Sequence, residues 1–125
     1  MAESSAANNG GLSVRYGLNL LLYTATFTKA EVDLIYKVAE IGYDGVEVPF
    51  MDLETLAPQA TRMAAEKAGV GLTSCCVLPP GASLCSEDPS ERENGVELMG
   101  RMVDLTAEMG GDVMAGPLYS PVGEI

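Results

Sequence analysis

The chain contains no histidine and no tryptophan, and sets only 7 Lys plus Arg against 18 Asp plus Glu in 125 residues. Each scarcity excludes something. Losing histidine removes the commonest metal ligand and the usual general base, so no nucleophile–histidine pair can be assembled from this sequence. A formal net charge of -11 with no cationic cluster would repel a phosphate backbone or an anionic lipid surface. So few aromatic residues offer no platform on which bases stack. Neither nucleic acid nor a membrane is an expected partner. The longest apolar run, Leu20-Leu21-Leu22-Tyr23, falls far short of the roughly 20 residues that span a bilayer. The opening stretch is polar, with no basic start and no adequate apolar segment behind it, so residues 1–13 read as a disordered leader rather than a secretory signal. Cysteine is sparse and odd in number: Cys75, Cys76 and Cys85. Neighbours on a strand point to opposite faces, so Cys75 and Cys76 suit neither a disulfide nor a zinc clip. They read as free thiols of a cytoplasmic protein.

What is present is a repeated strand-then-helix pattern. Residues 14–24 read as a strand, nearly all apolar over Tyr16-Gly17-Leu18-Asn19-Leu20-Leu21-Leu22-Tyr23, as a strand covered on both faces should be. Thr28-Lys29-Ala30-Glu31 has capping-box spacing, Val32, Ile35, Val38 and Ala39 form a helical stripe, and Gly42 is a left-handed stop. The second strand is Tyr43-Asp44-Gly45-Val46-Glu47-Val48-Pro49-Phe50, expected to end at Pro49, which lacks a ladder donor. Pro58 opens a second helix whose apolar side is read as Met63, Ala64 and Ala68, and Gly69 closes it. Gly71-Leu72-Thr73-Ser74-Cys75-Cys76-Val77-Leu78 is the third strand. Asp88-Pro89-Ser90-Glu91 then caps a long helix, with Glu91 completing the box and Val96, Met99, Val103 and Ala107 on its apolar face. After Gly110-Gly111, residues 112–119 make a fourth strand. The fold class is α/β: parallel (β/α) units, four strands and three helices, forming the first half of an eight-fold barrel across residues 14–125. A complete barrel takes on the order of 250 residues, so a missing carboxyl-terminal half, or self-association through bare strand edges, is expected to cover the open sides.

Chemistry in such architectures gathers at the carboxyl ends of the strands. Glu47 is the one acid in the second half of its strand, and alternation puts it opposite Val46 and Val48. It is either a carboxylate satisfied by a neighbouring strand or one that meets a ligand. Asn19 offers a donor and an acceptor at strand depth, for a sugar hydroxyl or for fixing register. Tyr119, after Gly116-Pro117-Leu118, is either a cover for a small ligand or a packed rim aromatic. Cys75 and Cys76 have no adjacent base to make a thiolate, so inert packing is the plainer role for them. The acids of the long helix, among them Glu91, Glu93, Glu97 and Glu108, read as a solvated face.

Taken together, Tyr16-Gly17-Leu18-Asn19, Ala39-Glu40-Ile41-Gly42-Tyr43-Asp44-Gly45-Val46-Glu47-Val48-Pro49, Leu72-Thr73-Ser74, Ser86-Glu87-Asp88-Pro89 and Gly116-Pro117-Leu118-Tyr119-Ser120-Pro121 resemble one family. It is the sugar phosphate isomerase/epimerase family with the xylose-isomerase-like barrel, and its D-tagatose/D-psicose 3-epimerases are the branch most similar. The resemblance covers the amino-terminal half of such a barrel. It implies an isomerase or epimerase of carbohydrate metabolism, acting on a small-molecule ketose by metal-assisted proton transfer. It also implies a divalent metal (Mn, Mg or Co) in the complete barrel, held by two Glu, an Asp and a His of later strands. No residue of this sequence inherits a catalytic or metal role, so none is expected to bind metal in this segment alone. The positions that match substrate-facing ones are Asn19, Cys75 or Cys76, Leu118 and Tyr119, which with Glu47 make the candidate substrate-binding set. A non-catalytic half-barrel that binds a small polyol or serves as a scaffold is the alternative.

Overall fold

A computed structural model describes residues 13–124; the leader expected over residues 1–13 lies outside them apart from Ser13. Strands and helices alternate in chain order: β1 (Gly17–Asn19), α1 (Asp33–Ile41), β2 (Gly45–Phe50), α2 (Pro58–Ala68), β3 (Gly71–Cys76), α3 (Pro89–Glu108) and β4 (Met114–Ala115). The sheet runs β1-β2-β3-β4 with every pairing parallel, which is the half-barrel arrangement expected from the pattern.

Alternation divides the sheet into two faces. Val46, Val48 and Phe50 of β2 and Leu72, Ser74 and Cys76 of β3 are buried. The apolar members join Ile35 and Val38 of α1, Ala64 and Ala65 of α2, and Met102 of α3 in one core. Burying a large aliphatic or aromatic side chain contributes about 1.5–3 kcal/mol, so this layer supplies most of the folding force. A polar pair within it is matched, since the Ser74 and Thr106 hydroxyls lie 2.7 Å apart and Thr106 also donates to the Met102 carbonyl at 2.7 Å. On the other face Asn19, Glu47, Thr73 and Cys75 are only half-buried. That is the face a closed barrel turns inward.

Local signals explain the element ends. Thr28 and Glu31 form a reciprocal capping box, which opens a short 3-10 turn, Lys29–Glu31, leading into α1. Gly42 ends α1 with φ 107° and Gly69 ends α2 with φ 72°, both in the left-handed region where a Cβ is strained. Pro58 starts α2, and Asp88 caps α3 by accepting the Ser90 N–H at 2.8 Å.

Several expectations need correction. The first strand is three residues long, because Leu20–Leu22 coil into a 3-10 turn capped by the Asn19 side chain. Leu22 is consequently exposed while Leu20 is fully buried. Pro49 does not end β2, which runs on through Phe50. Its missing donor is tolerated because β1 stops pairing at Asn19 opposite Glu47, two residues earlier. The buried side of α2 is Thr61, Ala64 and Ala65, with Met63 exposed. On α3 the buried residues are Gly95, Met102 and Thr106, and Val96 and Val103 face outward. Glu91 does not complete a box there, since the Asp88 N–H donates to the Ser86 hydroxyl instead. The fourth strand shrinks to Met114–Ala115.

Candidate functional site

Register builds the site. Asn19 ends β1 level with Glu47, Glu47 is level with Thr73, and Pro49 is level with Cys75. Three of the expected residues therefore converge on the half-buried face. The Asn19 amide donates to the Glu47 carboxylate at 2.7 Å and to the Cys75 sulfur at 3.4 Å. Thr73 donates to the other Glu47 oxygen at 3.4 Å. Glu47 is thus a carboxylate with protein partners, and it keeps room for more: an ionised carboxylate can accept about four hydrogen bonds.

Burial disfavours the thiolate form of both strand cysteines. Burial pushes the Cys75 thiol up, partly opposed by the Asn19 donor and reinforced by the Glu47 charge. Burial pushes Cys76, on the opposite face, up to about 11. Protonated sulfurs at these positions are weak donors and acceptors.

Leu118 and Tyr119 lie on the segment that follows β4. Leu118 is half-buried against the core, and the Tyr119 side chain is 55% exposed. The Tyr119 carbonyl accepts from the Leu84 N–H at 2.7 Å and the Ser83 hydroxyl at 3.3 Å. Those bonds tie the segment after β4 to the loop that follows β3. Among the described residues no side-chain hydrogen bond joins either residue to Asn19, Glu47 or Cys75.

Thr73 is the member the sequence reading missed. Its signal was available, because alternation from Cys75 puts Thr73 on the same face and parallel register sets it beside Glu47. A cavity of about 340 Å³ opens near the amino ends of the strands, lined by Gly17, Gly45, Gly71 and Thr73 among others. Thr73 joins that cavity to the polar cluster.

The sequence profile of the xylose isomerase-like TIM barrel family matches residues 35–123. The chain belongs to this family. Among curated relatives, a ketose 3-epimerase of Arthrobacter globiformis is 31% identical over 108 residues, which are 86% of this chain and 37% of that protein. A probable ketose 3-epimerase of Synechocystis sp. is 26% identical over 110 residues, 88% of this chain and 38% of that protein. The chain therefore spans well under half the length of these relatives. In fold it is similar to a D-allulose 3-epimerase of Methylomonas sp., whose structure holds D-allulose, with a TM-score of 0.82 and 22% identity over 90% of this chain and 39% of that one. A D-psicose 3-epimerase structure determined with D-fructose gives a TM-score of 0.79, 22% identity and coverage of 90% and 40%. The likeness places the described strands in one part of a family barrel.

A divalent metal does not fit the residues on this wall. The cluster holds a single carboxylate beside an amide, a hydroxyl and a thiol, and among the described residues no three His, Cys, Asp or Glu side chains converge. A hard cation prefers several oxygen ligands and carboxylate charge. Among the described residues no helix is long and apolar enough to cross a membrane.

Proposed function

We propose that this chain forms one wall of a cytoplasmic ketose epimerase or isomerase barrel and presents a hydroxyl-binding surface to a small sugar. The observation that carries the proposal is the Asn19–Glu47–Thr73–Cys75 cluster, assembled by register on the inward face of a chain 31% identical to a ketose 3-epimerase. Epimerisation beside a carbonyl removes a proton from carbon and returns it on the other face, which requires acid–base groups on both sides of the sugar. Glu47, with free acceptor capacity, suits binding a hydroxyl. Leu118 and Tyr119 belong to the same proposed rim. The proton-moving groups and the ligands of a divalent metal (Mn, Mg or Co) would come from strands beyond β4, so this segment alone is expected to be inactive.

A second reading is a half-barrel that binds a polyol or scaffolds without turnover; it shares the same polar wall and differs only in having no catalytic partner strands. One experiment tests the sugar-binding surface that both readings share, and the expected inactivity of the chain itself. The chain is incubated with manganese and D-fructose or D-tagatose, the sugars are resolved by chromatography, and thermal unfolding is followed with and without sugar. Epimer formation would establish catalysis by the chain itself. Stabilisation by sugar without product supports the inactive wall. Absence of both would refute the sugar-binding proposal.

A further inference from the structure

Asn19 is expected either to meet a sugar hydroxyl or to fix register, and both of its side-chain N–H groups are already engaged. Its two N–H bonds go to Glu47 and Cys75, and its oxygen accepts the Leu21 N–H at 2.8 Å. The amide can stand only this way round, because Leu21 needs an acceptor and the Glu47 carboxylate needs a donor. No donor is left for a ligand. Glu47 differs: its two protein partners leave about half of its acceptor sites open.

Asn19 also caps the 3-10 turn Leu20–Leu22. That turn is the first connection on the carboxyl-end rim. Leu20 anchors it at 0% exposure, while Leu22 is 74% exposed and Leu21 and Tyr23 are each 43% exposed. The Lys37 ammonium sits 4.7 Å from the Tyr23 ring centroid, a cation–π contact that steadies the far end of the turn. A single side chain therefore connects a carboxylate on the sheet to an apolar lip on the rim.

We propose that Asn19 is a positioning residue that ties the Glu47 carboxylate to the first rim turn, leaving Glu47 as the group that accepts a sugar hydroxyl. The first half stands on geometry alone; the second rests on the ketose reading above. Glu47 orients the amide, the amide holds the Leu21 N–H, and the turn presents Leu21, Leu22 and Tyr23 in one fixed arrangement.

Amide hydrogen exchange, followed residue by residue by NMR on the full chain, tests this. Losing one hydrogen bond should speed Leu21 exchange roughly fivefold in Glu47→Ala, although Glu47 never touches Leu21. Glu47→Gln keeps an acceptor for the Asn19 amide and should restore Leu21 protection, while the Asn19 side-chain N–H resonances shift as the partner loses its charge. Val46 and Val48 amides report whether the sheet is intact. Unchanged Leu21 exchange in Glu47→Ala, with Val46 and Val48 still protected, overturns the positioning role. Should Glu47→Ala lose the sheet, Glu47→Gln decides, and fast Leu21 exchange in that variant overturns it equally. Titration with D-fructose or D-tagatose tests the second half: weakening of roughly fivefold in Glu47→Gln is expected, as a neutral acceptor replaces a charged one. Equal affinity in both proteins overturns the acceptor role of Glu47. Failure of the unaltered chain to bind either sugar refutes the ketose reading and leaves the Leu21 result standing by itself.

Discussion

Cys75 and Cys76 are chemically alike and adjacent, yet the sheet gives them different surroundings. Cys75 lies on the half-buried face beside Asn19. Cys76 is buried at 3% exposure among the residues under the helices, where desolvation lifts its thiol from an ordinary 9.0 to about 11. The folded chain holds this proton more tightly than the unfolded chain does. Its contribution to stability is therefore intact below pH 9 and is lost as pH rises toward 11. A shift of that size corresponds to at most roughly 2–3 kcal/mol. Denaturant unfolding from pH 8 to pH 11 should show the decline, and Cys76→Ala should flatten it even though it starts from a lower stability. A Cys76→Ala curve as steep as that of the unaltered chain would place the decline on other groups. At this scale the sequence was partly legible. Opposite faces for the two cysteines follow from strand geometry, as does an inward Glu47. The commitment of the Asn19 amide to its own turn was not legible from apolar pattern, because Leu20-Leu21-Leu22 reads equally well as a strand or as a capped turn.

Helix α3 shows how an element can be located correctly and rotated wrongly. Asp88 and Pro89 mark its start, and both do so in the folded chain. Met99 packs against the core as expected, but Val96 and Val103, which look like core residues, face outward, and the sheet selects Gly95, Met102 and Thr106. Thr106 is polar and Gly95 has no side chain, so hydropathy cannot find that face. Packing can. A Cβ built on Gly95 would lie 3.1 Å from the Ser83 backbone, while one on Gly100 meets nothing within 4 Å. Gly95→Ala should therefore destabilise the chain by pushing α3 away from the loop after β3, at a cost of about 1–3 kcal/mol. Gly100→Ala should stabilise it by roughly 0.5–1 kcal/mol, since alanine loses less backbone freedom in a helix. Urea midpoints shifting in opposite directions would verify the observed phase of α3. Shifts in the same direction would contradict it. Strand lengths were misjudged for a related reason: β1 and β4 lie at the two sides of the sheet and pair over three and two residues, and pairing length depends on neighbours that a linear pattern does not display.

At the scale of the whole molecule, the parallel order β1-β2-β3-β4 leaves β1 and β4 each with one neighbour among the described residues, and the inward face carries polar groups that a closed barrel would enclose. An unpaired strand edge offers N–H and C=O groups to another chain, so the isolated chain is expected to self-associate through these edges. The opposing term is charge, because a net charge of -11 makes two copies repel. Screening decides between them. The Debye length falls from about 30 Å at 0.01 M salt to about 3 Å at 1 M, so association driven by edges and opposed by charge should strengthen with salt. Association driven by ion pairs would weaken instead. Sedimentation equilibrium at micromolar concentration should therefore show a larger average mass at high salt than at low salt. Val103→Glu, on the outward side of α3, should preserve the salt trend with only a small added repulsion. A compact monomer at both salt concentrations would refute edge pairing. Loss of association in Val103→Glu would move the contact from the sheet edges to the outer helix.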